Sequence, residues 1–366
     1  MHQYLDLLRD IIDNGYDKKQ DRTGFGRRSV NGRMIHFDVS NKRLPLVTTR
    51  KLYPKSIIGE TLWFIKGSHC TEELRQLGVK FWDRWAVTEE HIEQFINEYM
   101  DDDSHIDIVR SIWKDEYLNS IGHIYGPNWR NAPISNESYV ILNRNFSNIP
   151  SDKLKEYLEE YKEQNTINGV FDCKQEEYEE YCLSRYHQTI DQLNELVLNL
   201  KNNPYSSRLL VNSWVPEFIP DETVSPQHNV LMGRGALAPC HVMFQCFVKP
   251  GETDHDKPKL SLMITIRSND VPVGAPVNIA QYALILHMLA HVSNMEPETL
   301  IYSIGDAHIY GSNHREIAEE QIERIPFESP TIWLNPEVKD FFAFTSNDIR
   351  IENYNHHDIL NYDIHV

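Results

Sequence analysis

The sequence predicts an α+β domain in which one mixed or antiparallel sheet is built around a single buried helix. Residues 278–293 have a nearly all-apolar middle, so that helix has no solvent face and must be central. Runs of strand length and pattern recur at 34–39, 208–214, 240–249, 259–268 and 300–310. Helical spacing stands among them at 4–12, 55–67, 188–200 and 314–324. A chain of 366 residues can bury a sizeable core as one large domain or two small ones.

Leu7, Leu8, Ile11 and Ile12 share one face of the first helix, and Asn14-Gly15 ends it. The loop Asp21-Arg22-Thr23-Gly24-Phe25-Gly26-Arg27-Arg28 combines glycines with arginines. That composition could cradle a phosphate, but taken alone it reads first as a solvated turn. Residues 44–50 form a further extended piece. In the helix at 55–67, Ile57, Glu60, Thr61 and Phe64 share a face. A carboxyl on that face loses solvation, and its pKa is expected to rise into a useful acid–base range. Tilted to the helix edge it would stay solvated. Trp82 and Trp85, three apart, suit either a floor for a flat heterocycle or ordinary core packing.

Residues 88–119 carry ten acidic and two basic residues and read as an exposed, mainly helical insertion. Residues 122–130 form a tight aromatic loop. Residues 132–185 are polar again, with helical patches at 153–161 and 176–183, and read as a second insertion. Ile190, Leu193, Val197 and Leu198 line the next helix, ended by Asn202-Asn203-Pro204. A long loop at 216–235 separates two strands. The strand at 259–268 ends in Arg267-Ser268-Asn269-Asp270, and a turn with Pro272, Gly274 and Pro276 leads into the buried helix. Asp306, His308 and Tyr310 alternate along the strand at 300–310, and short strands close the chain.

The net charge of −18 argues against broad nucleic-acid binding, but leaves room for a small anion in a local basic pocket. The five cysteines show no C-x-x-C and no paired spacing, so a reducing compartment and no metal are expected. The N-terminus lacks a basic and apolar leader pattern, and no apolar run reaches membrane-spanning length. Cytoplasmic residence without a membrane partner is the expectation.

Leu237-Ala238-Pro239-Cys240-His241 places a cysteine at the mouth of a strand, behind a proline. A reactive cysteine needs an electropositive, partly open setting that favours the thiolate. A small buried core residue is the alternative use. His241 points to the opposite strand face, so it is poorly placed as the base of a Cys–His pair.

The ordered motifs Asp21-Arg22-Thr23-Gly24, Pro45-Leu46-Val47-Thr48-Thr49, Ser56-Ile57-Ile58-Gly59-Glu60, Trp82-Asp83-Arg84-Trp85, Ala238-Pro239-Cys240-His241, Arg267-Ser268, Asn278-Ile279-Ala280 and Gly305-Asp306-Ala307-His308-Ile309-Tyr310 resemble the thymidylate synthase family. The likeness covers about residues 1–85, 122–130, 188–215 and 236–366. It implies a thymidylate synthase-like fold, with 1–366 as a single catalytic domain. Family-atypical insertions fall at about 87–121, 131–187 and 216–235.

The reaction implied moves one carbon from 5,10-methylenetetrahydrofolate to C5 of dUMP, without a metal. By resemblance, Cys240 is the nucleophile that adds to C6, and Glu60 is the acid–base group. Tyr125 and Asp270 complete the catalytic set. Arg22, Arg267, Ser268 and Arg208 bind phosphate, with Arg208 reaching from the partner of a homodimer. His241 also contacts the nucleotide, and His308 and Tyr310 bind the 3′-hydroxyl. The Asn278 carboxamide matches N3–H and O4 of uracil, whereas family members acting on cytosine carry Asp. Trp82, Trp85, Asp270, Gly274 and the terminal Val366 are the implied folate contacts.

Some positions depart from the family pattern. Ser207-Arg208 replaces two adjacent arginines, and Arg27 or Arg28 are candidates to supply the lost charge. Val273-Gly274-Ala275-Pro276-Val277-Asn278 has a valine at an aromatic folate contact. Asn128 stands where Gln is customary, and residues 308–314 include one extra residue. Trp82, Trp85 and the apolar C-terminus favour quenching the exocyclic methylene by hydride, giving dTMP and dihydrofolate. The altered turn favours water, giving 5-hydroxymethyl-dUMP, as in the family's hydroxymethylases, typically of phages. The expected product is dTMP, with 5-hydroxymethyl-dUMP as the alternative. Intact Cys240, Glu60 and Asn278 oppose a third reading, an inactive binding relative.

Overall fold

The structure, a computed structural model, describes residues 1–19, 24–99, 106–133, 189–253, 255–311 and 313–364, and the backbone of 139–143 and 180–185. A six-stranded sheet is its frame. The strands are β1 (Tyr16–Lys18), β2 (Arg27–Asp38), β3 (Leu210–Asn212), β4 (His241–Lys249), β5 (Lys259–Asp270) and β6 (Glu296–Tyr310). They lie in the order β1-β2-β6-β5-β4-β3. Every pairing is antiparallel except β5 with β6. The main helices are α1 (His2–Asn14), α2 (Pro54–Lys66), α3 (Glu89–Tyr99), α4 (Ile106–Tyr117), α5 (Gln192–Asn202), α6 (Gly274–Val292) and α7 (His314–Ile322).

The parallel pair requires a crossover, and α6 provides it between β5 and β6. Its burial matches its composition, because Ile279, Ala280, Leu284, Ile285, Leu286, Met288 and Leu289 are all enclosed. By length and composition α6 could cross a membrane, but it is the core helix here. It begins four residues before the expected start, with Gly274, Ala275 and Pro276 as its first turn. Pro276 is tolerated there because first-turn N–H groups have no partner within the helix.

Leu260, Leu262, Ile264 and Ile266 of β5 point into the core. The opposite sheet face carries a row from β2 to β4 of Met34, Ser303, Thr265 and Met243. The next row is His36, Ile301, Met263 and Gln245. These residues are half-buried or exposed, with Met34 at 56%.

Residues 88–119 are not simply an exposed insertion. Helices α3 and α4 pack on each other and bury Ile92, Phe95, Ile96, Val109 and Trp113 in the main core. The described acidic residues occupy the outer faces, where Glu93 pairs with Arg110 at 2.8 Å and Glu89 with Lys114 at 2.9 Å. The helical reading of 176–183 is corrected over 180–183, and 176–179 lie outside the described residues. Glu180–Arg185 is a strand antiparallel to Tyr139–Asn143. Tyr181 and Cys182 are weak helix formers, and a Val140-Ile141 partner strand favours pairing. The patch at 153–161 lies outside the described residues. The loop at 216–235 contains a short helix, Pro226–Leu231, capped by Ser225. Gly126–Arg130 is likewise helical.

Candidate active site

Cys240 sits half-buried at the entrance to β4. Its N–H donates to the Tyr125 hydroxyl at 3.0 Å. Its carbonyl accepts from the Arg267 N–H at 2.9 Å. The Arg267 guanidinium turns back along the strand, donating to the Pro239 carbonyl at 2.8 Å and the Ala238 carbonyl at 2.9 Å. A fixed positive charge therefore lies against the backbone of residues 238 and 239, immediately before the cysteine.

His241 turns inward. It stacks on Tyr125 with centroids 4.6 Å apart and meets the Tyr282 hydroxyl at 3.1 Å through Nδ1. Burial pushes its pKa down to about 4, against a hydrogen bond with Asn278. The imidazole is therefore neutral in this buried setting. Burial raises the Tyr125 hydroxyl well above its ordinary range, so Tyr125 is a neutral phenol.

Glu60 is 4% exposed on the inner face of α2. Trp82 Nε1 donates to its Oε1 at 2.6 Å, and Gln281 Nε2 to its Oε2 at 2.6 Å. Burial pushes the carboxyl up to about 7, and the two donors oppose that rise. The solvated-edge alternative is excluded. The Trp82 and Trp85 rings lie 5.3 Å apart, and Tyr125 packs edge-on to Trp82 at 6.4 Å. Tyr125 thereby joins the cysteine to the carboxyl.

Asn278, in the second turn of α6, hydrogen-bonds His241 and Tyr302. Tyr302 also donates to Asn269 Oδ1 at 2.8 Å. A Cβ on Gly274 would meet Asn269 Nδ2 at 3.1 Å and Asn278 Nδ2 at 3.7 Å, so the bare glycine leaves two amides uncovered. Asp270 ends β5, and burial pushes its carboxyl up to about 7. Its Oδ1 lies 3.6 Å from His314 Nδ1, and His314 Nε2 lies 2.6 Å from the Asp363 carbonyl. Arg50 donates to the Pro272 carbonyl at 2.6 Å and lies over the Tyr362 ring.

His308 lies opposite both Asp270 on β5 and Ser29 on β2. Burial pushes it down to about 4, and its Nε2 has no hydrogen-bond partner. Its ring is 5.1 Å from that of Tyr310. Ser268 lies half-buried opposite Asp306.

Cys240, Glu60, Tyr125, His241, Arg267 and Asn278 thus form one connected cluster around Trp82. Ser268, Asp270, Gly274, His308 and Tyr310 occupy the adjoining ends of β5 and β6 and the start of α6. Arg22 and Val366 lie outside the described residues. Arg208 stands exposed on the loop before β3, where it lines a cavity of about 450 Å³ with Gln192, Asn212 and Trp214. Arg28, the other candidate to supply the lost charge, is engaged at the end of α1. Its Nε donates to the Ile11 and Ile12 carbonyls at 3.0 Å, closing the end of α1, and its Nη1 pairs with Asp17. Arg27 pairs with Asp306 at 3.1 Å beside Lys18. Asn128 is buried and donates to the Ile124 and Ser213 carbonyls, both at 2.9 Å.

Gln281, Arg50 and His314 were not anticipated as site residues. The signal for Gln281 was its spacing three residues after Asn278, which puts both amides on one helix face. Among the described residues, no group of three or more His, Cys, Asp or Glu stands together as a metal site would require.

A family model described as Thymidylate synthase matches residues 2–366. Three proteins named thymidylate synthase, from Francisella tularensis subsp. holarctica strains FTNF002-00 / FTA, OSU18 and LVS, are each 33% identical over 366 residues. Each match covers 100% of this chain and 100% of the relative.

Proposed function

The chain belongs to the thymidylate synthase family of methyltransferases, and from that premise we propose that it converts dUMP to dTMP through a covalent bond between Cys240 Sγ and C6 of the base. The observation that carries this reading is the continuous path from Cys240 through Tyr125 and Trp82 to Glu60. It links a nucleophile to a buried carboxyl through two aromatic side chains.

The thiolate adds to C6 and its bond pushes electron density onto C5, making that carbon nucleophilic. Arg267 favours the thiolate. 5,10-Methylenetetrahydrofolate supplies the one-carbon unit at C5 and then the hydride. Glu60, half-ionised near neutrality, takes the C5 proton once the new carbon–carbon bond has formed. As that proton leaves, the bond from the methylene to the folate nitrogen breaks and an exocyclic methylene remains on C5; hydride from tetrahydrofolate then adds to it as the Cys240 thiolate leaves C6, giving dTMP and dihydrofolate. Asn278 pairs with the uracil edge, Arg267, Ser268 and Arg22 hold the phosphate, and His308 and Tyr310 meet the 3′-hydroxyl.

Trp82, Trp85, Asp270 and Gly274 form the folate face. The bare Gly274 and the paired indoles suit a flat ring system. Tyr362 and Asp363 are already tied to Gln321 and His314, which supports a tail that keeps water out and favours hydride quenching. The uncovered sheet face supports a homodimer. Its partly exposed Met34, Met263, Met243 and Ile301, with Phe247 on the same face, need an apolar cover. An exposed Arg208 is free to reach the second copy's phosphate.

The test is incubation with dUMP and methylenetetrahydrofolate, following dihydrofolate absorbance and identifying the nucleotide by mass. Dihydrofolate with dTMP is the expected result. Hydroxymethyl-dUMP without dihydrofolate would make the chain a hydroxymethylase. Absence of both products and of tritium release from C5-labelled dUMP would leave a binding protein. Asn278→Asp should raise the kcat/KM ratio for dCMP over dUMP by roughly tenfold or more. An unchanged ratio would remove Asn278 from base selection.

A further inference from the structure

Helix α6 places two amide side chains, Asn278 and Gln281, three residues apart on one face. Asn278 lies against His241, while Gln281 is 2% exposed and reaches across to α2. We propose that Gln281 is a positioning residue for Glu60: its amide anchors the second carboxyl oxygen and fixes the plane in which that carboxyl exchanges a proton with substrate. This rests on the proposed reaction, in which Glu60 takes the C5 proton.

The argument is geometric. With Trp82 Nε1 on Oε1 alone, the carboxyl would be free to turn about its final bond. The second donor, Gln281 Nε2 at 2.6 Å on Oε2, removes that freedom and leaves each oxygen a lone pair in a fixed direction. Both donors are buried, so water cannot replace either one at no cost.

The arrangement also bears on acidity. N–H donors stabilise the carboxylate, and burial destabilises it. Glu60 titrates under burial, Trp82 and Gln281 together. The neighbours on α2 that share its face, Ile57, Thr61 and Phe64, carry no charge. On α6 the titratable neighbour is Tyr282, which lies within electrostatic reach of both Glu60 and Tyr125. Both phenols stay neutral across the working range, because burial holds them above it. Removing the Gln281 donor therefore leaves burial opposed by Trp82 alone.

The experiment measures tritium release from C5-labelled dUMP against pH for the wild type and for Gln281→Leu. The acid limb of kcat should move up by about one pH unit. At neutral pH kcat should fall roughly fivefold and recover at alkaline pH, with KM for dUMP changed by less than about twofold. A loss of rate equal at all pH values, with the limb unmoved, would overturn the inference. Gln281→Met, which keeps the chain length, is read in the same way should the leucine variant not fold. Carbon NMR of the Glu60 carboxyl in the folded apoprotein reads the shift without turnover. A wild type that releases no tritium would refute the reaction, and an unmoved NMR titration in the variants would refute the role of Gln281.

Discussion

Cys240→Ala is expected to abolish dTMP formation and C5 proton release together, each by at least about 10⁴-fold. The two losses must coincide, because C5 becomes a nucleophile only after sulfur has added to C6. Binding of dUMP should survive. The groups proposed to grip it are Asn278, Arg267, Ser268, His308 and Tyr310. Arg267 hydrogen-bonds backbone carbonyls of residues 238 and 239, which alanine at 240 leaves in place. The Cys240 N–H to Tyr125 bond also belongs to the backbone. A folded variant that binds dUMP and still exchanges the C5 proton would remove Cys240 from the nucleophile's role.

Glu60→Gln is expected to lower kcat by roughly 10²–10⁴-fold while leaving covalent addition intact. Its stability effect has the opposite sign. Burial raises the Glu60 carboxyl from 4.5 to about 7, so the folded state holds this proton more tightly than the unfolded chain. The wild type is therefore favoured below about 4.5 and loses that stability as pH rises through about 7. The loss levels off at ~3 kcal/mol. Asp270, raised from 3.8 to about 7, contributes with the same sign in both proteins and cancels from the comparison. Urea denaturation at alkaline pH should show the Gln variant more stable than the wild type, and at pH 4 the two should converge. A wild type equally stable at both pH values relative to the variant would contradict the account of Glu60 burial.

Much of this site could be read along the chain because its logic is local. The spacing of Ile57, Glu60, Thr61 and Phe64 places a carboxyl on an apolar helix face from the helical period alone, and the fold keeps it there. The apolar middle of α6 identifies the core helix in the same way. Contacts between distant segments were not legible. Gln281 and Glu60 are 221 residues apart, and only the packing of α6 on α2 brings amide to carboxyl. Arg28 has the charge for phosphate, but the start of β2 runs beside the end of α1, whose Ile11 and Ile12 carbonyls take the guanidinium.

The acidic stretch at 88–119 misled for another reason. Dense charge on two helices hides the apolar stripe of Ile92, Phe95, Ile96 and Trp113 that binds them to the core. Element ends shifted where polar site residues sit. β5 continues through Arg267 to Asp270, and α6 starts at Gly274, because backbone pairing and the first-turn exemption outweigh composition there.

The claim on which the account depends is a bond between Cys240 sulfur and C6 of a pyrimidine nucleotide. Intact-protein mass spectrometry with 5-fluoro-dUMP and methylenetetrahydrofolate tests it, since fluorine at C5 cannot leave as a proton does and the adduct should accumulate. A mass gain equal to nucleotide plus folate, mapped to the peptide carrying Cys240 and missing from Cys240→Ala, is the predicted result. No mass gain, or a label on Cys70 or Cys246, would contradict it.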